Sequence, residues 1–269
     1  MISRFSEDID LAIDRCLFGL EGDLTKKQLK KLRKESSLFV RDAFAADLQR
    51  VVNERGFADY CTIKPELDGE GDSTYPEPRK VHIAYESVFE AAGPDYLKPV
   101  VILEIGSRSL IEPTAKAKVK SLVSENSSVD TTVVDVDIIS AVPAKTFLEK
   151  AFLLHELFTT DHCQHADRKS RHLYDLVKMM DHPFAQDAIS NDELWNTIHH
   201  HREVFTSIKD VDYTPDIRKR IVLMPPKEVQ KEWRDDYNAM QESMLYGEQI
   251  AYEKLISKME ELQKRFRSV

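Results

Sequence analysis

Arg4-Phe5-Ser6-Glu7-Asp8-Ile9-Asp10-Leu11, near the start of the chain, reads as a short β-strand carrying two carboxylates one residue apart. Side chains alternate along a strand, so Asp8 and Asp10 project from one face. That spacing brings two hard oxygen donors within reach of one divalent cation. Mg2+ takes oxygen ligands in an octahedron and usually only one or two protein carboxylates, which leaves room for phosphates. An Asp-x-Asp strand is therefore what a phosphoryl- or nucleotidyl-transfer site requires. Alone the pair is a weak signal, because it arises by chance in many acidic chains.

Outward from this strand, the first half reads as a mixed α/β sheet with few helices. Asp23 or Thr25 is placed to cap a helix running to about Asn53, with Leu29, Leu32, Phe39, Val40, Phe44 and Leu48 near helical spacing. Pro65 to Pro78 is turn-rich and reads as a projecting loop or hairpin end. Lys80 to Phe89, Val100 to Ser107 and Val133 to Ile139 read as strands. From Pro143 the character changes to helices, at Ala144–Leu157, Ser170–Met180, Asn191–Phe205, Lys227–Met244 and Ile250–Phe266, with Pro225-Pro226 at the entry to the fourth. The fold class expected is α/β (α+β): a mixed sheet over residues 1–142, followed by a helical domain over 143–269.

Bulk properties narrow the classes of function. A chain of 269 residues can bury a sizeable core. No apolar run approaches the roughly 20 residues that cross a bilayer, and the N-terminus has no signal-peptide pattern. Cys16, Cys61 and Cys163 are scattered and odd in number, as in a reducing cytoplasm. A net charge of −9 argues mildly against broad nucleic-acid binding. Against that background stands a dense basic cluster, Lys26, Lys27, Lys30, Lys31, Arg33 and Lys34. It reads either as a solvated helix face or as a contact for RNA phosphates.

Glu104 lies within the apolar run Val100-Val101-Ile102-Leu103-Glu104-Ile105, where a carboxylate is costly unless paired or metal-bound. It is the candidate third acid beside Asp8 and Asp10, as metal ligand or as activator of an attacking hydroxyl; the alternative is a salt bridge or a strand edge facing water. Asp135 and Asp137 form a rival Asp-x-Asp, ranked lower because Thr131, Val133, Asp135 and Asp137 share one face that can simply be solvated. Gly106-Ser107 resembles a phosphate-binding turn but has no Asp-x-Asp after it, and reads as a decoy. The histidines His155, His162, His165 and His172 around Cys163, and the run His199-His200-His201, lack tetrahedral zinc spacing, so no structural zinc is expected. No Walker loop, nucleophile elbow, His-Glu-x-x-His or Rossmann glycine pattern occurs.

Three ordered segments carry a family likeness: Arg4 to Leu11; Phe147-Leu148-Glu149-Lys150 followed by Arg168-Lys169-Ser170-Arg171-His172-Leu173-Tyr174-Asp175-Leu176; and Asp236-Tyr237, Met240, Met244 and Tyr246-Gly247. Together they resemble the AbiEii/AbiGii-like toxins, the nucleotidyltransferase-fold partners of type IV toxin–antitoxin systems. The resemblance implies a nucleotidyltransferase-like sheet with a helical C-terminal domain. It implies that Lys150 and Asp175 line a nucleotide pocket opposite the metal strand: Lys150 as a point charge on the triphosphate, and Asp175 orienting a ligand group or fixing Lys150. From composition alone, Lys150 is a solvated lysine and Asp175 a surface aspartate paired to Arg171 at i−4.

The expected site is therefore Asp8, Asp10 and Glu104 holding Mg2+, Lys150 and Asp175 in the catalytic set, and Ser6, Lys150 and Arg171 contacting the nucleotide, with Arg168 a weaker phosphate contact. The resemblance further implies an NTP donor, an RNA acceptor such as a tRNA 3′ end, growth arrest or phage defence, and a cognate antitoxin. Relatives carry a Gly-Gly-Thr or Gly-Ser turn and a helix ahead of the acidic strand, whereas only five residues precede Ser6 here and none is Gly. The expectation is a start inside the real gene, or a shortened member. Two other outcomes stay open: an inactive member that binds RNA or protein, and a metal-dependent phosphohydrolase using the same acids.

Overall fold

The structure, a computed structural model, describes residues 2–6, 8–69, 74–87, 98–121, 136–164, 166–214 and 216–269, with the side chains of 162 and 164 excepted. Strand β1 is Asp8–Ala12. The basic cluster opens helix α1, Lys26–Phe39, which runs through a π turn at Val40–Phe44 into α2, Ala45–Glu54. Thr25, not Asp23, is the cap: Gln28 N–H donates to its Oγ1 at 3.3 Å and Gln28 Oε1 accepts from Thr25 N–H at 3.0 Å, a reciprocal capping box. Then follow β2 (Cys61–Pro65), β3 (Arg79–Tyr85), β4 (Val100–Gly106), β5 (Thr114–Val119) and β6 (Val136–Ala141). The strand expected at Val133–Ile139 is thus seen from Val136 to Ala141.

Four strands form a mixed sheet in the order β1-β4-β3-β2, with β1 parallel to β4 and the other pairs antiparallel. Period-two alternation splits its faces cleanly. Val81, Leu103 and Ile105 point to one side and pack with Val40, Phe44 and Leu48 of the long helix. The register sets Asp10 opposite Glu104 and Glu104 opposite Lys80, so these three form a row across the other face. Strands β5 and β6 make a separate two-stranded sheet.

The helical part comprises α3 (Pro143–Phe158), α4 (Arg171–Met179), α5 (Pro183–Ser190), α6 (Asp192–His201), α7 (Ile217–Arg220), α8 (Gln230–Met244) and α9 (Tyr252–Arg267). Its core is the largest in the molecule and is rich in rings: Phe152 lies 4.4 Å from Trp195, Phe158 4.7 Å from Trp233, and Phe147 stacks on Phe266 at 5.8 Å. Pro143 and Pro183 sit in the first turns of their helices, where their missing N–H costs nothing.

The chain start is fastened to this part rather than to the sheet. Arg4 bridges antiparallel to Leu245, Phe5 N–H donates to Met244 O at 2.8 Å, and Tyr246 N–H donates to Ser3 O at 3.2 Å. A Cβ at Gly247 would stand 2.4 Å from that of Ser3, so only glycine admits this approach. Phe5 and Tyr246 close the join edge to face at 5.2 Å.

Candidate active site

The three sequence segments that resemble the toxin family converge in space, and each has a physical task. Residues 3–5, pinned by Tyr246-Gly247, aim Arg4 at Asp175 on α4. The guanidinium donates to both carboxylate oxygens, at 2.7 and 2.8 Å, with the two side chains only 9% and 1% exposed. Lys150, on α3, pairs with the same carboxylate at 2.9 Å. Burial alone would raise the Asp175 carboxyl, but the Arg4 hydrogen bonds and the Lys150 charge outweigh it and hold it below the usual carboxylate range. Asp175 is therefore the fixed anion that fastens Arg4 and Lys150. It is neither a surface residue nor the partner of Arg171.

Arg171, one turn earlier, reaches across to the acidic strand and donates from Nη1 to Asp8 Oδ2 at 2.7 Å. A tertiary carboxylate thus displaces the local i,i+4 partner. The loop ahead of α4 is held by α8: Asp236 accepts the N–H of Arg168 at 2.7 Å and of Ser170 at 3.0 Å, and Glu232 accepts that of Ala166 at 2.9 Å. These bonds support Arg168 in a left-handed conformation, φ 59°, that L residues otherwise avoid. His172 lies on the same turn as Arg171, with Nδ1 3.4 Å from Lys150 Nζ. Burial, then the charges of Lys150 and Arg171, lowers the His172 pKa to about 3, so the ring is neutral at physiological pH.

On the strand side, Asp10 is pushed above its usual pKa by burial first and then by the negative charges of Glu104 and Asp8. Lys150 and Arg171 act on it in the opposite direction, which places the helical cations near the strand acids. Glu104 pairs with Lys80 at 3.2 Å. It thus stands beside Asp10, as a third acid must, and also makes the salt bridge that was its alternative. Ser6 is exposed, its hydroxyl donating to Asp8 O at 3.3 Å. Among the described residues, no group of three or more His, Cys, Asp or Glu side chains is placed to hold a metal ion. The donors that fit Mg2+ are the two strand carboxylates, Asp8 and Asp10, on one face, which is the number Mg2+ commonly takes from protein.

The remaining candidates lie elsewhere. Ser107 N–H donates to the Glu77 carboxylate at 2.6 Å, so a protein anion occupies the Gly106-Ser107 turn. Asp137 is exposed on β6, while Thr131, Val133 and Asp135 lie outside the described residues, as do His165 and the side chain of His162. Cys163 is buried and its carbonyl accepts from Trp233 Nε1 at 3.1 Å. His155 accepts Val222 N–H at 3.0 Å, and burial takes its pKa to about 4. The basic cluster sits on a helix that packs, through Phe39 and the π turn, against the sheet face opposite Asp10 and Glu104. The tasks of Arg4 and Asp236 are not legible in the sequence. Their only local signal is membership of the resembling segments, because both act through contacts distant in sequence.

A mixed sheet carrying an acidic row, faced by helices that bring in lysine and arginine, is a nucleotidyltransferase-like α/β fold. The chain belongs to the AbiEii family, nucleotidyl transferase toxins of type IV toxin–antitoxin systems, whose family model matches residues 1–264. No curated protein and no solved structure matches it. No helix among the described residues is long and apolar enough to cross a membrane.

Proposed function

We propose that this chain transfers a nucleotidyl group from an NTP to an RNA hydroxyl, a tRNA 3′ end being the favoured acceptor, as the toxin whose cognate antitoxin restrains it. The observation that carries this is the bridge across the site: Asp8 of the acidic strand touches Arg171 at 2.7 Å, one helical turn from the Asp175 that holds Lys150 at 2.9 Å. Strand carboxylates and helical cations suited to phosphate are thus brought together at one place. Asp8 and Asp10 would hold Mg2+, which when bound offsets triphosphate charge and aligns the reacting oxygens. The acceptor oxygen bonds to the α-phosphorus, the bond from that phosphorus to the β-bridging oxygen breaks, and pyrophosphate leaves with the electron pair. Glu104, beside Asp10 on β4, accepts the hydroxyl proton. Lys150, aimed by Asp175, stabilises the charge gathering on the leaving pyrophosphate. Ser6 and Arg171 contact the nucleotide.

The test is incubation with Mg2+, each α-labelled NTP and total tRNA, with Asp10→Ala as control. Label on RNA that vanishes in the control supports the proposal and identifies the donor. Labelled nucleoside monophosphate without RNA labelling would replace it with phosphohydrolysis, and no reaction with any NTP would leave a binding module.

A further inference from the structure

The four carboxylates of the site are unequally provided for. Asp175 has Arg4 and Lys150, Glu104 has Lys80, and Asp8 has Arg171, while Asp10 makes no ion pair among the described residues. The place a dication would take, between Asp8 and Asp10, is thus already claimed on one side by a guanidinium. Arg171 itself is imperfectly housed. Its Nε–H is buried and has no hydrogen-bond partner, whereas Nη1 is spent on Asp8. A buried donor without an acceptor marks a pose that improves once an anion arrives. Its backbone is fixed by the Asp236-held loop, but its side chain is 24% exposed and long, so it can turn without disturbing α4. The other guanidinium of the site, Arg4, has no such freedom, being bidentate and 9% exposed.

We infer that Arg171 is the resident counter-cation of Asp8, a guanidinium that a divalent ion must displace and that then turns its unpartnered donor to the incoming triphosphate. This rests on the metal-site reading above. It makes metal entry and nucleotide entry a coupled exchange: the metal frees Arg171 from Asp8, and the anion gives Arg171 a new partner. Two affinities must then respond to loss of the guanidinium with opposite signs. A purely structural arginine would weaken both on removal, and a simple phosphate contact would weaken only the anion.

The experiment measures Mn2+ binding by the electron paramagnetic resonance of free Mn2+, without nucleotide, in the parent, Arg171→Met and Arg171→Gln. Binding of inorganic tripolyphosphate at saturating Mn2+ is measured in the same three proteins, each checked for a cooperative thermal transition. Arg171→Gln serves if Arg171→Met does not fold. The expected result is Mn2+ binding tighter by on the order of tenfold in the variants, from removal of a like charge, with tripolyphosphate binding weakened by a similar factor. Mn2+ binding that is unchanged or weaker in a folded variant overturns the exchange while the metal site stands. Absence of Mn2+ binding in all three proteins overturns both.

Discussion

Asp8 and Asp10 stand on a strand with exposed apolar neighbours, whereas Lys150 and Arg171 stand on helices that carry the largest core among the described residues. On β1, Ile9 is 48% and Leu11 38% exposed, while Leu148, Ala151, Leu173 and Leu176, next to Lys150 and Asp175 in sequence, are fully buried. Among the described residues the sheet contributes three buried apolar side chains, Val81, Leu103 and Ile105, which pack with Val40 of the π turn, against the ring-rich cluster of the helices. The helical half is thus a rigid frame that fixes where lysine and arginine point. The acidic half is placed by a few specific contacts: the ladder to β4, the Arg171–Asp8 pair, and the Arg4 tether. Stability and alignment of the site are therefore separable, and substitutions should sort by the half they touch.

Trp233→Ala, in the frame, has the largest expected effect. It empties a fully buried volume beside Phe158 and removes the bond to Cys163 O, at about 3–5 kcal/mol of unfolding free energy by denaturant titration. A loss below about 1 kcal/mol would break the comparison. Arg4→Ala comes next, at about 3 kcal/mol, because Asp175 stays buried with Lys150 as its remaining ion-pair partner. Arg4→Lys should recover part of this, since an ammonium cannot reproduce the two-pronged contact. Little change in Arg4→Ala would show that residues 3–5 do not tether the strand.

Acid should act on the frame through histidines that the surrounding protein holds neutral. His155 and His201 are lowered to about 4 and His172 to about 3, in each case by burial first. The unfolded chain therefore binds more protons below about pH 6.5. Their contribution is fully present above that pH and is lost as pH falls towards the folded values, by about 1 kcal/mol per pH unit for each group. Thermal melts from pH 7 to pH 4.5 check this, and His172→Asn should flatten the slope. Ile9→Ala is expected to have the smallest effect, within about 0.5 kcal/mol, because its side chain is half exposed.

Much of this architecture is legible in local patterns. The Asp-x-Asp alternation gave β1, the apolar run gave β4, and helical periodicity gave α3, α4, α6, α8 and α9 to within a residue or a few at each end. Elements with weak local signals were missed. Strand β2, Cys61–Pro65, ends in a proline next to turn residues and is formed by its ladder to β3. Strand β5, Thr114–Val119, is alanine and lysine with two β-branched ends. Helix α5, Pro183–Ser190, is too short for its period to stand out. At the site, residue types were readable but partners were not. Glu104 to Lys80 depends on cross-strand register, Arg171 to Asp8 spans 163 positions, and Arg4 to Asp175 spans 171. Such pairings are fixed by tertiary structure and leave no periodic trace.

The central claim is that Asp10 on the open strand and Lys150 on the buried frame serve one nucleotidyl transfer. The most direct test is a double-mutant comparison of Asp10→Asn, Lys150→Ala and the pair, by transfer of label from an α-labelled NTP to RNA. Each single change should lower the rate about 10²–10³-fold, and the pair should lose little more than the worse single, as residues acting as a unit do. Losses that multiply in the double variant, or transfer that survives either single change, would contradict the account.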